Sequence, residues 1–189
     1  MKKISFIVFL LLLITGCFGG YSEQSKFYSL QAITDVSSVS SKKMTIGINE
    51  IELPEYVDRP QIVSATKGSS EVKISETNRW SESLDTLIQR TLTADISAYL
   101  PQAVVKEKTL NENFNATVSI QITRLDMIAD DSALLEAWWY ISDRNGKTLY
   151  REKFSETKKI KGNYDSFVLS ISDLLGIMSE KIAKQVIKY

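Results

Sequence analysis

Leu134 to Ser142, LLEAWWYIS, is apolar at nearly every position, so a strand there has no wet face. Side chains along a strand alternate between the two faces of a sheet. If Leu135, Ala137, Trp139 and Ile141 face a core, Trp138 and Tyr140 project from the other side. Monomeric proteins rarely display large contiguous apolar patches, so that second face calls for cover by another subunit or a partner, or by a helix of the same chain. Asp143-Arg144-Asn145-Gly146-Lys147 follows and reads as a hairpin turn, because Asn and Gly tolerate positive φ. Leu149 to Phe154 is then the returning strand. Upstream, Ala116, Val118, Ile120 and Ile122 alternate as a half-buried strand does, before the phase slips at Leu125 and Met127.

Two stretches carry helical periodicity. Leu84, Ile88, Leu92 and Ile96 recur every four residues, with Leu87, Tyr99 and Leu100 widening the stripe. Pro101 ends that helix, and Asn78 or Ser81 is placed to cap its start. A second helix begins near Asn163, with Phe167, Ile171, Leu174, Met178, Ile182 and Val186 as its stripe and Leu175 alongside. Asp165 near its start and Lys184 and Lys188 near its end complement the helix dipole. Met44, Ile46 and Ile48 alternate as a strand, and the slip at Ile51 and Leu53 indicates a bulge or bend before Pro54. Residues 54–60, PEYVDRP, form a proline-bounded loop. Phe27 to Leu30, Gln61 to Ala65 and Val72 to Ser75 read as short strands, the last two flanking a turn. The order is strands, helix, strands, helix, and hairpins outnumber crossovers. The expectation is a single α+β domain with a mostly antiparallel sheet and two helices packed on it.

The N-terminus has a different character. Met1-Lys2-Lys3 is basic, and Ile4 to Ile14 is apolar except for Ser5. That is signal-peptide size, shorter than the ~20 residues of a spanning helix. The run stops at Cys17, the chain's one cysteine, so no disulfide partner exists. Ile14-Thr15-Gly16-Cys17 resembles the lipobox of bacterial lipoproteins, whose cysteine carries a thioether-linked diacylglycerol and becomes an acylated N-terminus. One acyl chain holds a protein only marginally, and two or three make a durable tether. The expected organisation is a signal peptide over residues 1–16, a lipidated tether over 17–26 and the domain over 27–189. Phe18 after the cysteine resembles the outer-membrane case of enterobacterial lipoproteins, in which aspartate favours inner-membrane retention.

The chain has no histidine, which removes the commonest general base and the Ser-His and Cys-His nucleophile pairs. It also leaves no ligand set for a structural zinc site. No GxxxxGK[ST] or GxGxxG stretch is present to cradle a nucleotide. Glu50 with Glu52, and Asp130 with Asp131, are carboxylate pairs that read as a strand's outer face and a solvated turn. Without Lys2 and Lys3 the chain carries 21 basic and 23 acidic residues, a net charge of −2, with no basic patch suited to nucleic acid. No cofactor or metal is expected, and no enzymatic role.

Residues 53–63, LPEYVDRPQIV, followed by Arg79-Trp80-Ser81-Glu82 and Leu84, resemble the signature of the ABC-type transport auxiliary lipoproteins of the PqiC (YmbA) type. The pattern comprises Tyr28 and Leu30, Leu53-Pro54, Tyr56, Asp58-Arg59-Pro60-Gln61-Ile62-Val63, Glu76, Arg79-Trp80 and Glu82, with an echo at Asp143 and Gly146. Ala65 stands where the family often has arginine, and Ser83 where a proline often starts the helix.

The resemblance implies a non-enzymatic, outer-membrane-anchored lipoprotein that faces the periplasm and helps maintain membrane integrity. It would work beside an MCE-domain protein that bridges the two membranes and an integral inner-membrane component of a lipid-transport system, and a closed homo-oligomer suits the end of such a bridge. Tyr56, Asp58, Arg59, Gln61, Arg79, Glu82, Trp138 and Tyr140 are then the candidate contacts to the partner or to other copies. Pro54, Pro60 and Trp80 are structural parts of the signature. Each has a plainer alternative: the prolines shape a loop, the arginines pair with Asp58 or Glu82 for about 0–1 kcal/mol, and Tyr56 anchors the loop. Alternative functions are a lipoprotein assisting another outer-membrane assembly complex and, less favoured, a lipid-anchored enzyme.

Overall fold

The computed structural model describes residues 23–34, 36–39, 43–109, 112–128 and 131–189. Among these, the chain runs β1 (Lys26–Tyr28), β2 (Thr45–Ile48), β3 (Gln61–Ala65), β4 (Val72–Trp80), α1 (Leu84–Tyr99), β5 (Val104–Glu107), β6 (Ala116–Ile128), β7 (Ser132–Asp143), β8 (Thr148–Lys159) and α2 (Tyr164–Val186). All eight strands join one sheet around β6. Along one edge β6 meets β2 through Ala116–Val118 and β3 through Met127–Ile128. Along the other it pairs with β7 from end to end, and β8 follows as the returning strand of the hairpin.

The direction of the strands corrects the sequence-based expectation. Four of the seven pairings are parallel (β1–β4, β2–β5, β2–β6 and β3–β6), and three are antiparallel. The sheet is mixed, not mostly antiparallel. The cause is that β2 and β3 do not form a hairpin with each other; both lie against the same distant strand. α1 carries the chain from β4, over the sheet, to β5 beside β2. Local alternation reports that a segment is a strand but not which neighbour it meets.

Both helices pack on one face of the sheet. Leu135, Ala137, Trp139 and Ile141 on β7 are all buried there, as are Leu84, Leu87, Ile88, Leu92 and Ile96 of α1. α2 adds Phe167, Ile171, Leu174, Met178, Ile182 and Val186. Burying one such aliphatic or aromatic side chain is worth roughly 1.5–3 kcal/mol, so this one-sided seam dominates the stability. The phase slip after Ile122 is a bulge between Ile122 and Arg124, and it returns Leu125 and Met127 to the core face.

β4 continues five residues beyond the expected Ser75, which moves the start of α1. Asn78 lies inside the strand, where its side chain accepts a 3.0 Å bond from the Tyr28 hydroxyl, and Ser83 occupies the cap position instead of Asn78 or Ser81. The Ser83 hydroxyl bonds Thr86 Oγ1 at 2.8 Å and no backbone amide, so α1 begins without a side-chain cap. α2 begins conventionally, with the Ser166 amide donating to Asn163 Oδ1 at 2.9 Å.

Between β1 and β2, residues 29–34 run as a strap over the two helices. The Gln31 amide donates to Ser172 Oγ at 3.1 Å, and the Ile33 amide donates to Asp95 Oδ1 at 2.8 Å. Gly176 makes room for Ile33: a Cβ there would stand 2.8 Å from Ile33 Cγ2. The strap therefore uses one residue of α1 and two of α2, and it leads directly back to the N-terminal segment.

Candidate functional site

The loop at residues 54–60 is built by its prolines. The Pro54 carbonyl accepts from the Val57 and Asp58 amides at 3.1 and 3.3 Å, closing a turn that buries Val57. The Pro60 carbonyl accepts from the Trp80 amide at 2.8 Å and fastens the loop to the end of β4. Asp58-Arg59-Pro60 and Trp80-Ser81-Glu82-Ser83-Leu84 thus line a single cleft of about 360 Å³ at the start of α1. Two stretches some twenty residues apart in sequence share one wall.

The charges around this cleft are unevenly satisfied. Glu82 is held by both guanidinium nitrogens of Arg90, at 2.9 and 3.0 Å. Among the described residues no carboxylate lies within ion-pair distance of Arg59 or Arg79, and the Nε of each is buried without a hydrogen-bond partner.. Arg79 precedes the core-facing Trp80 in its strand, so it leaves on the helix-free face, in register with Gln61 of β3 and Phe27 of β1. Trp80 itself is 4% exposed and packs 6.3 Å, ring centre to ring centre, from Phe167 of α2.

Tyr56 turns inward to the β6 bulge. Its hydroxyl donates to Asp126 Oδ1 at 2.7 Å and accepts from the Leu125 amide at 3.0 Å. Arg124 closes the network with Nη2 2.5 Å from Asp126 Oδ2. Burial, then the bond to the Asp126 carboxylate, pushes the Tyr56 phenol up to about 12. Both bonding roles of its hydroxyl are filled within the chain.

Trp138 and Tyr140 stand elsewhere, with β3 and β6 between them and β4. They lie half-buried on the helix-free face, so neither helix covers them. Arg151 of β8 spreads over both, its guanidinium 4.0 Å from the Trp138 ring centre and 5.4 Å from that of Tyr140. The structure thus gathers Asp58, Arg59, Pro60, Trp80 and Glu82 at the cleft, sets Gln61 and Arg79 beside it, and leaves Trp138 and Tyr140 apart. Arg151 was not foreseen from sequence; its signal lies in the hairpin register, which sets it opposite Tyr140. Asp95 was also missed, although it follows Ile88 by seven residues and so shares the buried side of α1.

Cys17 and the rest of residues 1–22, like Asp130, lie outside the described residues. Asp131 bonds Lys67 at 2.8 Å, and that neighbour holds its carboxyl below the usual range. Among the described residues no group of three or more His, Cys, Asp or Glu side chains is placed to hold a metal ion. No helix among them is long and apolar enough to cross a membrane.

The LPEYVDRPQIV and RWSE elements are thus joined at one cleft of a sheet that carries its helices on one face. Residues 28–183 match the family described as ABC-type transport auxiliary lipoprotein component, and the chain belongs to that family. It is similar to the intermembrane transport lipoprotein PqiC of Escherichia coli (strain K12), at 23% identity over 177 residues, covering 92% of this chain and 91% of that protein. The PqiC of Shigella flexneri matches with the same figures. Among solved structures, a crystal structure of an uncharacterized protein superposes with a TM-score of 0.74 at 21% identity, over 87% of this chain and 99% of the other. Protein XCC0632 from Xanthomonas campestris gives 0.71 at 8% identity, over 87% and 95%. These two share the fold.

Proposed function

We propose that this protein is a non-enzymatic auxiliary lipoprotein of an intermembrane lipid-transport system, anchored in the outer membrane through lipid on Cys17 and facing the periplasm. The domain, residues 27–189, follows a signal peptide ending at residue 16 and a tether over 17–26. It works beside an MCE-domain protein and that protein's inner-membrane component, and it contributes to membrane integrity. What carries the reading is the junction of the two family elements at one cleft, with Arg59 and Arg79 lacking counter-ions among the described residues. An arginine without an internal carboxylate suits an acidic group on a partner, where a charge-assisted, bidentate bond forms. Trp138, Tyr140 and Arg151 have the residue types that dominate interface energies, and they support a homo-oligomer in which a second copy covers the helix-free face.

The test begins with the full-length chain. A Cys17→Ser variant is expected to lose its acyl groups, and any precursor still processed is released as soluble protein; mass spectrometry showing an unmodified Cys17 in the mature wild-type protein would sink the anchoring half. For the partner, tagged wild-type protein extracted from membranes in mild detergent is expected to retain the MCE-domain protein. Arg59→Glu and Arg79→Glu are expected to weaken that capture while leaving the melting temperature near wild type. Wild-type protein that stays in the membrane but captures no MCE-domain protein overturns the transport assignment.

A further inference from the structure

β1 runs parallel to β4, with Lys26 beside Asn78 and Tyr28 beside Trp80. The chain that enters β1 therefore comes from the side on which β4 begins, at Val72. Ala65 of β3, Ile128 of β6, Ser132 of β7 and Lys159 of β8 stand in register across that same end of the sheet. The turn over residues 66–71, which joins β3 to β4, lies there too, and its Lys67 reaches Asp131, just before β7, at 2.8 Å. The cleft with Arg59 and Glu82 sits at the opposite end of the β3–β4 pair, beside the pairing of Gln61 with Arg79. The turn between β7 and β8 is farther still, because β7 runs 12 residues from Ser132, about 40 Å.

The end from which the tether leaves carries exposed apolar surface. Ser64 lies beside the core-facing Met127 and opposite Lys73, so the neighbouring Val72 and Ile74 project from the helix-free face. Val72 is 52% exposed and Ile74 49%, and Ala65 and Val63 opposite them continue the apolar strip across β3. Gly68, at φ +76, turns the chain where a Cβ would meet nothing within 4 Å, so the turn stands clear of the sheet. The chain itself names the occupant. Lys26 stands nine residues after Cys17, a reach of about 30 Å when fully extended. The charges agree with a phospholipid surface: Lys73, Lys159 and Lys161 have no ion-pair partner among the described residues, and Glu71 is the one carboxylate of the turn. Lysines at a membrane surface are drawn to anionic headgroups. Two half-exposed aliphatic side chains would not hold a free protein to a bilayer. A tether changes that balance, because it turns docking into an intramolecular event at high effective concentration, and interfacial binding grows with the apolar area inserted.

We propose that the β3–β4 hairpin end, through Val72 and Ile74, rests on the phospholipid surface that holds the anchor, and so stands the domain on that membrane by one end of its sheet. The inference rests on lipidation of Cys17. It turns the cleft with Arg59 and Glu82, and beyond it the β7–β8 turn, away from the bilayer, where a partner arriving from across the periplasm meets them.

The full-length lipidated protein, in phosphatidylethanolamine–phosphatidylglycerol vesicles, tests it. Ser70→Cys in the hairpin turn and Lys147→Cys in the β7–β8 turn each supply one reactive thiol, since the Cys17 sulfur is alkylated, and each takes a polarity-sensitive fluorophore. At position 70 the expected result is blue-shifted emission, most of it lost when headgroup-labelled nitroxide lipid is included. The label at 147 is expected to stay unshifted and unquenched. With Val72→Asp and Ile74→Asp added to Ser70→Cys, the protein should still float with the vesicles and melt near the parent, while the quenching at 70 falls to the level seen at 147. Protein that floats but is quenched equally at 70 and 147, or keeps its quenching at 70 in the Asp variant, overturns this proposal alone. Protein that fails to float overturns the anchoring reading and this one with it. A label at 70 that is shifted but unquenched, equally in detergent, marks a covering second copy and also overturns it.

Discussion

The Ile33 amide donates a 2.8 Å hydrogen bond to Asp95 Oδ1, a carboxylate oxygen with no measurable exposure to solvent. Ser179 Oγ lies 3.4 Å from the other oxygen, and no cation faces the pair among the described residues. The strap is therefore fastened by an acid that pays for its burial in proton affinity: desolvation pushes the Asp95 carboxyl up to about 6, partly offset by the Ile33 and Ser179 bonds.

The sign of the resulting pH dependence follows from that direction. Between about pH 4 and 6 the folded protein keeps a proton on Asp95 that the unfolded chain has lost, so stability falls as pH rises through this window, by up to roughly 3 kcal/mol. Asp95→Asn is expected to remove this component. Urea unfolding at pH 4.5 and 7.5 checks it: the difference between the two pH values should be smaller in the variant than in the wild type, and an unchanged difference contradicts the assignment.

Gly176→Ala sets helix propensity against space. In an open helix the change gains about 1 kcal/mol. Here the new Cβ meets Ile33 Cγ2 at 2.8 Å, an atom on the branched carbon that moves only if χ1 or the strap backbone shifts. The variant is expected to melt lower, and Ile33→Ala in the same background should recover part of the loss. Faster amide exchange at Gln31 and Ile33 would show that the strap has lifted.

Trp80→Ala removes a side chain that is 4% exposed and wedged against Phe167. Large-to-small changes of this kind cost about 3–5 kcal/mol, a large part of a typical domain's stability. A sharp drop in melting temperature is expected. Near-wild-type melting with lost partner capture would make Trp80 a contact residue instead.

Trp138→Glu with Tyr140→Glu alters a face that the helices leave open. The expected outcome is a shift toward monomer in light scattering, with a far-ultraviolet spectrum like the wild type. A wild-type protein that is already monomeric at micromolar concentration contradicts the homo-oligomer reading.

Legibility in the sequence followed the range of the interaction. The stripes of α1 and α2 and the β7–β8 hairpin were readable because their partners lie within a few residues or across one turn. Asn78 misled because a polar residue ahead of an apolar stripe looks like a cap, whereas here it lies inside β4 and bonds Tyr28. The parallel pairing of Ile46 with Ala116 and of Ser64 with Met127 leaves no local mark, since TIGI and QIVSA alternate alike in either direction. At the cleft, the residue types were visible, but that Glu82 belongs to Arg90 and leaves Arg59 free required the helix turn between them.

The parallel alignment of β1 with β4, Lys26 to Asn78 through Tyr28 to Trp80, decides how tension enters the domain. A pull on the N-terminal end of β1 along its axis loads the whole three-residue pairing in shear, while a sideways pull peels it bond by bond. Once β1 slips, the load passes to Gln31 on Ser172 and Ile33 on Asp95, and each residue freed adds about 3.3 Å of slack. Under such a pull the domain is expected to yield in stages, releasing β1 and then the strap before the rest of the sheet is disturbed.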